Sequence, residues 1–299
     1  MSTIPPLRIA VVGPGAVGSF LAAHLAAVGG DVVACGRRPF DRYEIESATL
    51  PVTGPARVLT DPGDAAGGGP VDLVLVCVKV TQTAAIGPWL DRLCGPETLT
   101  VCVQNGIESA ATVSRLAPAG RVLPSVVYCG VQLVAPGHVR HTTSARLVVP
   151  AGADGDRVAA AFSGSVVAVE PTADFRTEMW RKLGVNVAVN GITALTNRTT
   201  VVFGRPEVAR LARDLLRECW QIAALDGAAL DQAQADATAA NLSARPIGTG
   251  TSMLYDRRAG APTEHDAIYG AVVRAAERLD TDAPLARAMD ALVGAGDPD

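Results

Sequence analysis

The chain has 299 residues, 48% of them hydrophobic and 19% charged, with a formal net charge of −4 at pH 7. That length favours two domains of about 100–200 residues each. The mild acidity argues against a nucleic-acid partner, which needs a basic face; the Arg groups at Arg37, Arg38 and Arg42, and at Arg210, Arg213 and Arg217, are short and local, and the second reads as a solvated helix face.

The opening stretch from Met1 to Pro6 lacks the basic n-region of a secretory signal. Leu7 to Val12 reads as a buried strand, followed at once by a glycine turn and an Ala/Leu-rich helix that runs to about Val28. Gly29 and Gly30 end that helix, and Asp31 to Cys35 forms a second strand. Gly63 to Pro70 is Gly/Ala-rich and reads as a loop, Val71 to Val78 as a third strand and Leu99 to Val103 as a fourth. Apolar strands alternating with helical stretches predict a doubly wound parallel sheet. From Val122 to Val149 the pattern shifts to short β segments with Pro136 and Gly137 as a turn, and Ser165 to Val169 is expected to be the last strand. Glu170, Pro171 and Thr172 then punctuate the chain. Beyond them helices are expected at about 175–196, 207–225, 228–240, 263–279 and 284–293, with a polar tail after Gly294. The division expected is a dinucleotide-binding domain over 1–172 and a helical substrate-binding domain over 173–299. No apolar run approaches the roughly 20 residues that cross a bilayer.

The six cysteines show no C-x-x-C pair and several sit in apolar runs. Buried reduced thiols, and hence a cytoplasmic protein, follow as the simplest reading. His24, His138, His141 and His265 have no metal-ligand spacing, and there is no G-x-S-x-G elbow, so no metal is expected and hydrolase chemistry is unsupported.

Gly13, Gly15 and Gly18 form G-x-G-x-x-G between the first strand and its helix, with Pro14, Ala16 and Val17 filling the turn. The first glycine permits the tight turn, the second lets a pyrophosphate approach the backbone, and the third lets helix pack on strand. An NAD site places Asp or Glu at the end of the second strand, but here Gly36 is followed by Arg37 and Arg38. Guanidinium groups there favour a 2′-phosphate, and hence NADP.

Of 26 basic residues only Lys79 and Lys182 are lysines, and lysine, unlike arginine, can give and take a proton. Lys182, Asn186 and Asn190 are spaced i, i+4, i+8 and share one helix face. Asparagine is a mediocre helix former, so two of them on an apolar stretch point either to helix bridging or, the reading preferred, to a stripe facing a ligand. Lys79 and Asn105 follow the third and fourth strands, where open α/β sheets bind ligands. Thr263, Glu264 and Asp266 read on their own as a capping box opening a helix.

With these residues in view the chain resembles the ketopantoate reductase family over nearly its whole length. The resemblance rests on the glycine turn, Lys79, Gln104-Asn105-Gly106, Trp180 with Lys182, Asn186 and Asn190, Ser252-Met253-Leu254 with Asp256, and Pro262-Thr263-Glu264 with Asp266, Ile268 and Gly270. It implies a Rossmann-type domain with a helical C-terminal domain, and reduction of 2-dehydropantoate to (R)-pantoate by NADPH. It further implies that Lys182 is the general acid, that Asn186, Asn190, Ser252 and Tyr255 bind substrate, and that Glu264 contacts the nicotinamide ribose and the substrate hydroxyl. Lys79, Asn105 and Arg37 fall on the cofactor side. Two positions depart from the family pattern, Tyr255 in place of Gln and Thr200 in place of Asn. Another keto acid, or a non-catalytic NADP-binding sensor, therefore remains an alternative, and the chain is expected to be a monomer or homodimer.

Overall fold

The computed structural model describes residues 6–298 except 50, 118, 144 and 244–247, so the opening stretch weighed above as a leader lies outside it apart from Pro6. The chain divides into two units: one runs to Gln104 and resumes over Ser109–Phe175, and the other comprises Asn105–Glu108 and the chain from Arg176 onward.

The first unit holds strands β1 (Arg8–Val12), β2 (Asp31–Cys35), β3 (Arg42–Ser47), β4 (Val52–Pro55), β5 (Val58–Leu59), β6 (Leu73–Val76), β7 (Leu99–Cys102), β8 (Arg121–Pro124), β9 (Val126–Tyr128), β10 (Val131–Ala135), β11 (His138–His141), β12 (Arg146–Pro150) and β13 (Ala168–Thr172). Its helices are α1 (Ala16–Ala27), α2 (Gly87–Leu93), α3 (Ser109–Leu116) and α4 (Ala153–Ala161). Six strands pair in parallel in the order β5-β2-β1-β6-β7-β8. Successive side chains of a strand point to opposite faces. Ile9, Val11, Leu73 and Leu75 thus enter one core, while Ala10, Val12, Val74 and Val76 enter another. Burial on both faces is why these strands read as unbroken apolar runs. The order reverses between β1 and β6, so the turns after those two strands stand at the topological switch point of a Rossmann-type sheet.

Two smaller sheets, β10-β11-β3-β4 and β13-β12-β9, complete this unit, and the expected Pro136-Gly137 turn is present with Gly137 at φ +76°. Three local expectations need correction. The last strand is Ala168–Thr172 rather than Ser165–Val169; it runs through Pro171 because β13 is an edge strand, where the missing N–H is tolerated. The Gly63–Pro70 stretch is not all loop, since Pro62–Gly68 forms a 3-10 helix capped by the Asp61 carboxylate, which accepts from Gly63 N–H at 2.6 Å. Strands β3 to β5 were not anticipated, although Tyr43 and Ile45 bury alternately along β3.

The second unit is helical: α5 (Phe175–Thr196), α6 (Pro206–Leu225), α7 (Gln232–Ser243), α8 (Ser252–Arg258), α9 (Ala271–Arg278) and α10 (Pro284–Gly294), with a π-helical turn at Asp266–Gly270. Helix α7 begins later than the expected residue 228, because Asp231 and Gln234 form a reciprocal capping box at 2.7 and 3.0 Å. Trp180, Trp220 and Tyr269 are the largest side chains in this core. Glycines in α5 admit two of them: a Cβ at Gly184 would overlap the Trp220 indole, and one at Gly191 would overlap the Tyr269 hydroxyl.

Candidate functional site

The glycine turn is held from both sides. Gly13 N–H donates to Cys35 O at 2.9 Å, and Ser19 Oγ donates to Pro14 O at 2.9 Å. Gly13 has φ +95°, and a Cβ there would lie 2.5 Å from Val78 N, so this position excludes any other residue twice over. A Cβ at Gly18 would overlap Gly13 O. Gly15 differs, with an ordinary φ of −76° and nothing within 4 Å of a Cβ. The space over Gly15 is therefore open, as a phosphate approaching the backbone requires. The first helical hydrogen bond runs from Ser19 N to Gly15 O, so the N–H groups of Ala16, Val17 and Gly18 have no partner inside the helix. They form a ready anion site at a positive helix end. Cys77 lies behind Gly18, and burial pushes its thiol above the ordinary value.

The other first-unit residues gather at the same end of the sheet. A Cβ at Gly36 would lie 2.6 Å from the Pro14 ring, so the end of β2 packs on the glycine turn. Arg37 and Arg38 follow directly; both are exposed, and neither makes a hydrogen bond or ion pair among the described residues. Lys79 is half-buried and stands three residues past β6, where it caps a 3-10 segment over Val80–Ile86. Gln104 is buried, and its Nε2 donates to Val78 O at 3.0 Å and Thr83 Oγ1 at 2.8 Å, which fixes the turn beside Lys79.

Asn105 groups with the helical unit. Its Nδ2 donates to Glu264 Oε2 at 2.8 Å, and Asn186 Nδ2 reaches its Oδ1 at 3.5 Å. Glu264 is only 4% exposed. Along α5, Lys182 is half-buried and Asn186 and Asn190 are buried on the same face, followed by Thr193, whose hydroxyl meets Thr251 Oγ1 at 2.6 Å. Asn190 is 3% exposed, and its side-chain amide has no hydrogen-bond partner among the described residues. Its amide atoms are not among the enclosed unpaired polar atoms of the described residues, so they remain reachable from outside the helix, where a ligand can complete them.

The capping box expected at Thr263 does not form. Thr263 N and Oγ1 both donate to Asp297 Oδ2, at 2.9 and 3.0 Å, and the helix begins after Glu264, whose carboxylate accepts from Asn105. Ser252 opens α8 and is exposed; the cap itself is Thr251, whose Oγ1 accepts from Leu254 N–H at 3.2 Å. Tyr255 lies across Gly250, with its hydroxyl accepting the Gly250 N–H at 3.2 Å, so it braces the loop before α8. Thr200 meets Thr249 in that loop, with hydroxyls 3.5 Å apart. Asn197, at φ +50°, ends α5 and accepts from Arg258 Nε at 2.8 Å.

Sequence reasoning missed Arg274. Its guanidinium donates to both Glu108 oxygens at 2.7–3.2 Å and to Asp266 Oδ1 at 2.6 Å, tying the Asn105–Glu108 segment to the turn that follows Glu264. Only the Asp266–Arg274 spacing along one helical stretch could have hinted at it.

Comparison with known proteins agrees over the whole length. The family described as Ketopantoate reductase PanE/ApbA matches residues 9–154, and its C-terminal family, Ketopantoate reductase PanE/ApbA C terminal, matches 174–296. The chain is 37% identical over 288 residues to a 2-dehydropantoate 2-reductase of Mycobacterium tuberculosis, covering 96% of this chain and 97% of that one. Among solved structures, 2-dehydropantoate 2-reductase from Geobacter metallireducens superposes with a TM-score of 0.89 at 26% identity, covering 96% and 99% of the two chains. The dimeric ketopantoate reductase from Staphylococcus aureus gives 0.86 at 26% identity, covering 97% and 98%.

Proposed function

The chain belongs to the ketopantoate reductase family, and from that premise we propose that it reduces 2-dehydropantoate to (R)-pantoate with NADPH. The observation that carries this reading is the polar face of α5, where the Asn190 amide, without a hydrogen-bond partner among the described residues, lines up with Asn186 and Lys182. In this reading the dinucleotide-binding domain is the sheet unit and the substrate-binding domain the helical unit.

NADPH supplies the hydride. The glycine turn from Gly13 to Gly18 binds its pyrophosphate through the N–H groups of Ala16, Val17 and Gly18, Lys79 lies on the cofactor side, and Arg37 with Arg38 takes the 2′-phosphate. Asn186 and Asn190 hydrogen-bond the keto acid, and Ser252 binds at its carboxylate. Tyr255 contributes by holding the loop ahead of Ser252. As the carbonyl carbon is reduced, negative charge develops on its oxygen; the Lys182 ammonium stabilises that charge and then donates the proton. Glu264, oriented by Asn105, accepts from the nicotinamide ribose and the substrate hydroxyl.

Lys182→Ala should lower turnover by at least about 100-fold, the lower end for losing a general acid, while NADPH binding survives. Turnover equal to the parent's would remove Lys182 from the chemistry. A second reading, a different 2-keto acid as substrate, is favoured by Tyr255 and Thr200 being engaged with the loop around Thr249 and Gly250. NADPH oxidation measured against a panel of 2-keto acids separates the two. That none of the six cysteines forms a disulfide supports a cytoplasmic setting, and the dimeric Staphylococcus aureus relative supports a homodimer. No helix among the described residues is long and apolar enough to cross a membrane.

A further inference from the structure

Helix α5 does not close on itself unaided at the turn that separates Asn186 from Asn190. The Tyr269 hydroxyl accepts the Gly191 N–H at 2.8 Å and donates to Val187 O at 2.9 Å. Those two backbone groups are i and i+4 partners in a regular helix, so the hydroxyl stands across the rung by which the helix would bond to itself. A side chain inserted into the ladder is one of the recognised causes of a bend.

Two features show that this contact is retained against local preference. Gly191 is a helix-interior glycine, which costs stability relative to alanine, and a Cβ there would overlap the Tyr269 hydroxyl and lie 2.7 Å from Met289 Cε. Tyr269 itself is fully buried and sits in the π-helical turn Asp266–Gly270, a rare element that begins two residues after Glu264. Such turns concentrate at functional positions. Burial also raises the phenol above its ordinary value, so the hydroxyl keeps the proton it donates to Val187.

We propose that Tyr269 is a positioning residue: its hydroxyl sets the Val187–Gly191 turn, aiming Asn186 and Asn190, and fastens that turn to the segment following Glu264. The inference rests on the reading of the α5 polar face as the keto-acid site. If the rung closed on itself, Asn190 would shift relative to Asn186 and Lys182, and a displacement of about 1 Å in a reacting geometry costs up to about 100-fold in rate.

Tyr269→Phe removes the oxygen and keeps the ring. Val187 C=O and Gly191 N–H can then pair with each other, so the fold should keep its melting temperature within a few degrees. The expected result is a fall of about 10- to 100-fold in kcat/KM for the keto acid, with an unchanged Kd for NADPH. Hydrogen exchange should change across Val187–Gly191 and nowhere else along α5. Parent-like kinetics would overturn the inference. So would activity lost in proportion to melting temperature or cofactor affinity, which would mark a purely structural role. If the parent turns over no 2-keto acid, the proposed function falls and the positioning role falls with it, whereas an active parent with parent-like exchange in Tyr269→Phe overturns the positioning role alone.

Discussion

The roles of the first two glycines of the turn can be separated by two alanine substitutions. At Gly15 a Cβ meets nothing within 4 Å and φ is −76°, which any residue adopts. Alanine there restricts the unfolded chain, worth about 0.4–1 kcal/mol of added stability, and is a poorer N-cap by a similar amount; the melting temperature should barely move. The methyl group would nevertheless occupy the space a pyrophosphate needs. A retreat of the phosphate from the Ala16 to Gly18 N–H groups should weaken NADPH by at least about 10-fold, or about 1.4 kcal/mol. Gly13→Ala does the reverse. A φ of +95° costs about 1–2 kcal/mol in a residue with a Cβ, and the 2.5 Å approach to Val78 N adds about 1–3 kcal/mol of overpacking. At roughly 2–4 °C per kcal/mol, Gly13→Ala should melt several degrees lower or more. The assay is thermal unfolding with and without NADPH. At a cofactor concentration 100 times the parent Kd the parent gains about 2.7 kcal/mol, and a 10-fold weaker variant about 1.4 kcal/mol. A Gly15→Ala protein with the parent's full cofactor-induced shift would refute the placement of phosphate over that backbone.

Replacing both Arg37 and Arg38 by alanine should raise the NADPH Kd by about 10- to 100-fold, the worth of one lost charge-assisted contact of about 1.5–3 kcal/mol, and leave NADH nearly unaffected; equal losses for both cofactors in calorimetric titrations would end the 2′-phosphate assignment. Arg274→Ala should lower kcat several-fold while changing the melting temperature little, because exposed ion pairs contribute only about 0–1 kcal/mol and the structural consequence is loss of the tie between Glu108 and Asp266, which flank the Asn105–Glu264 bond; steady-state kinetics matching the parent's would count against it. Acid should destabilise the sheet unit through His24, whose pKa burial, assisted by neighbouring His141, lowers from 6.5 to about 4. The unfolded chain binds the proton more tightly, so this contribution is complete above about pH 6.5 and is lost as pH falls towards 4, amounting to about 3 kcal/mol. Urea midpoints taken between pH 7 and 4 should fall in the parent and fall less in His24→Leu, and parallel slopes would contradict the assignment.

The glycine turn was legible in the sequence because each glycine answers to something close in the chain or in the adjacent strand: a left-handed φ at Gly13, contact of Gly18 with Gly13, and an open face at Gly15. The stripe Lys182, Asn186 and Asn190 was legible for a different reason. Helical periodicity puts them on one face, and asparagine in an apolar helix runs against propensity, so its presence demands a partner. Elements whose signal is weak or shared were misread. Strand β13 and the 3-10 turn at Pro62 each contain a proline or glycine that normally interrupts structure, and each is rescued by context that sequence does not print: an edge position for Pro171 and the Asp61 cap for Gly63.

The misreading at Thr263 is the most instructive, since the local pattern was a sound capping box and the fold overrode it. The Thr263 hydroxyl, which would have accepted from the first helical turn, instead donates with the Thr263 N–H to Asp297, 34 residues away, and the helix starts later. Next to it the buried Glu264 carboxylate is paired with an Asn105 amide 159 residues earlier in the chain. The same holds for Gly191, whose cost to α5 has its reason in a hydroxyl 78 residues further on. Residues that defy local preference mark where to look, but the partner that explains each of them is supplied by the tertiary fold.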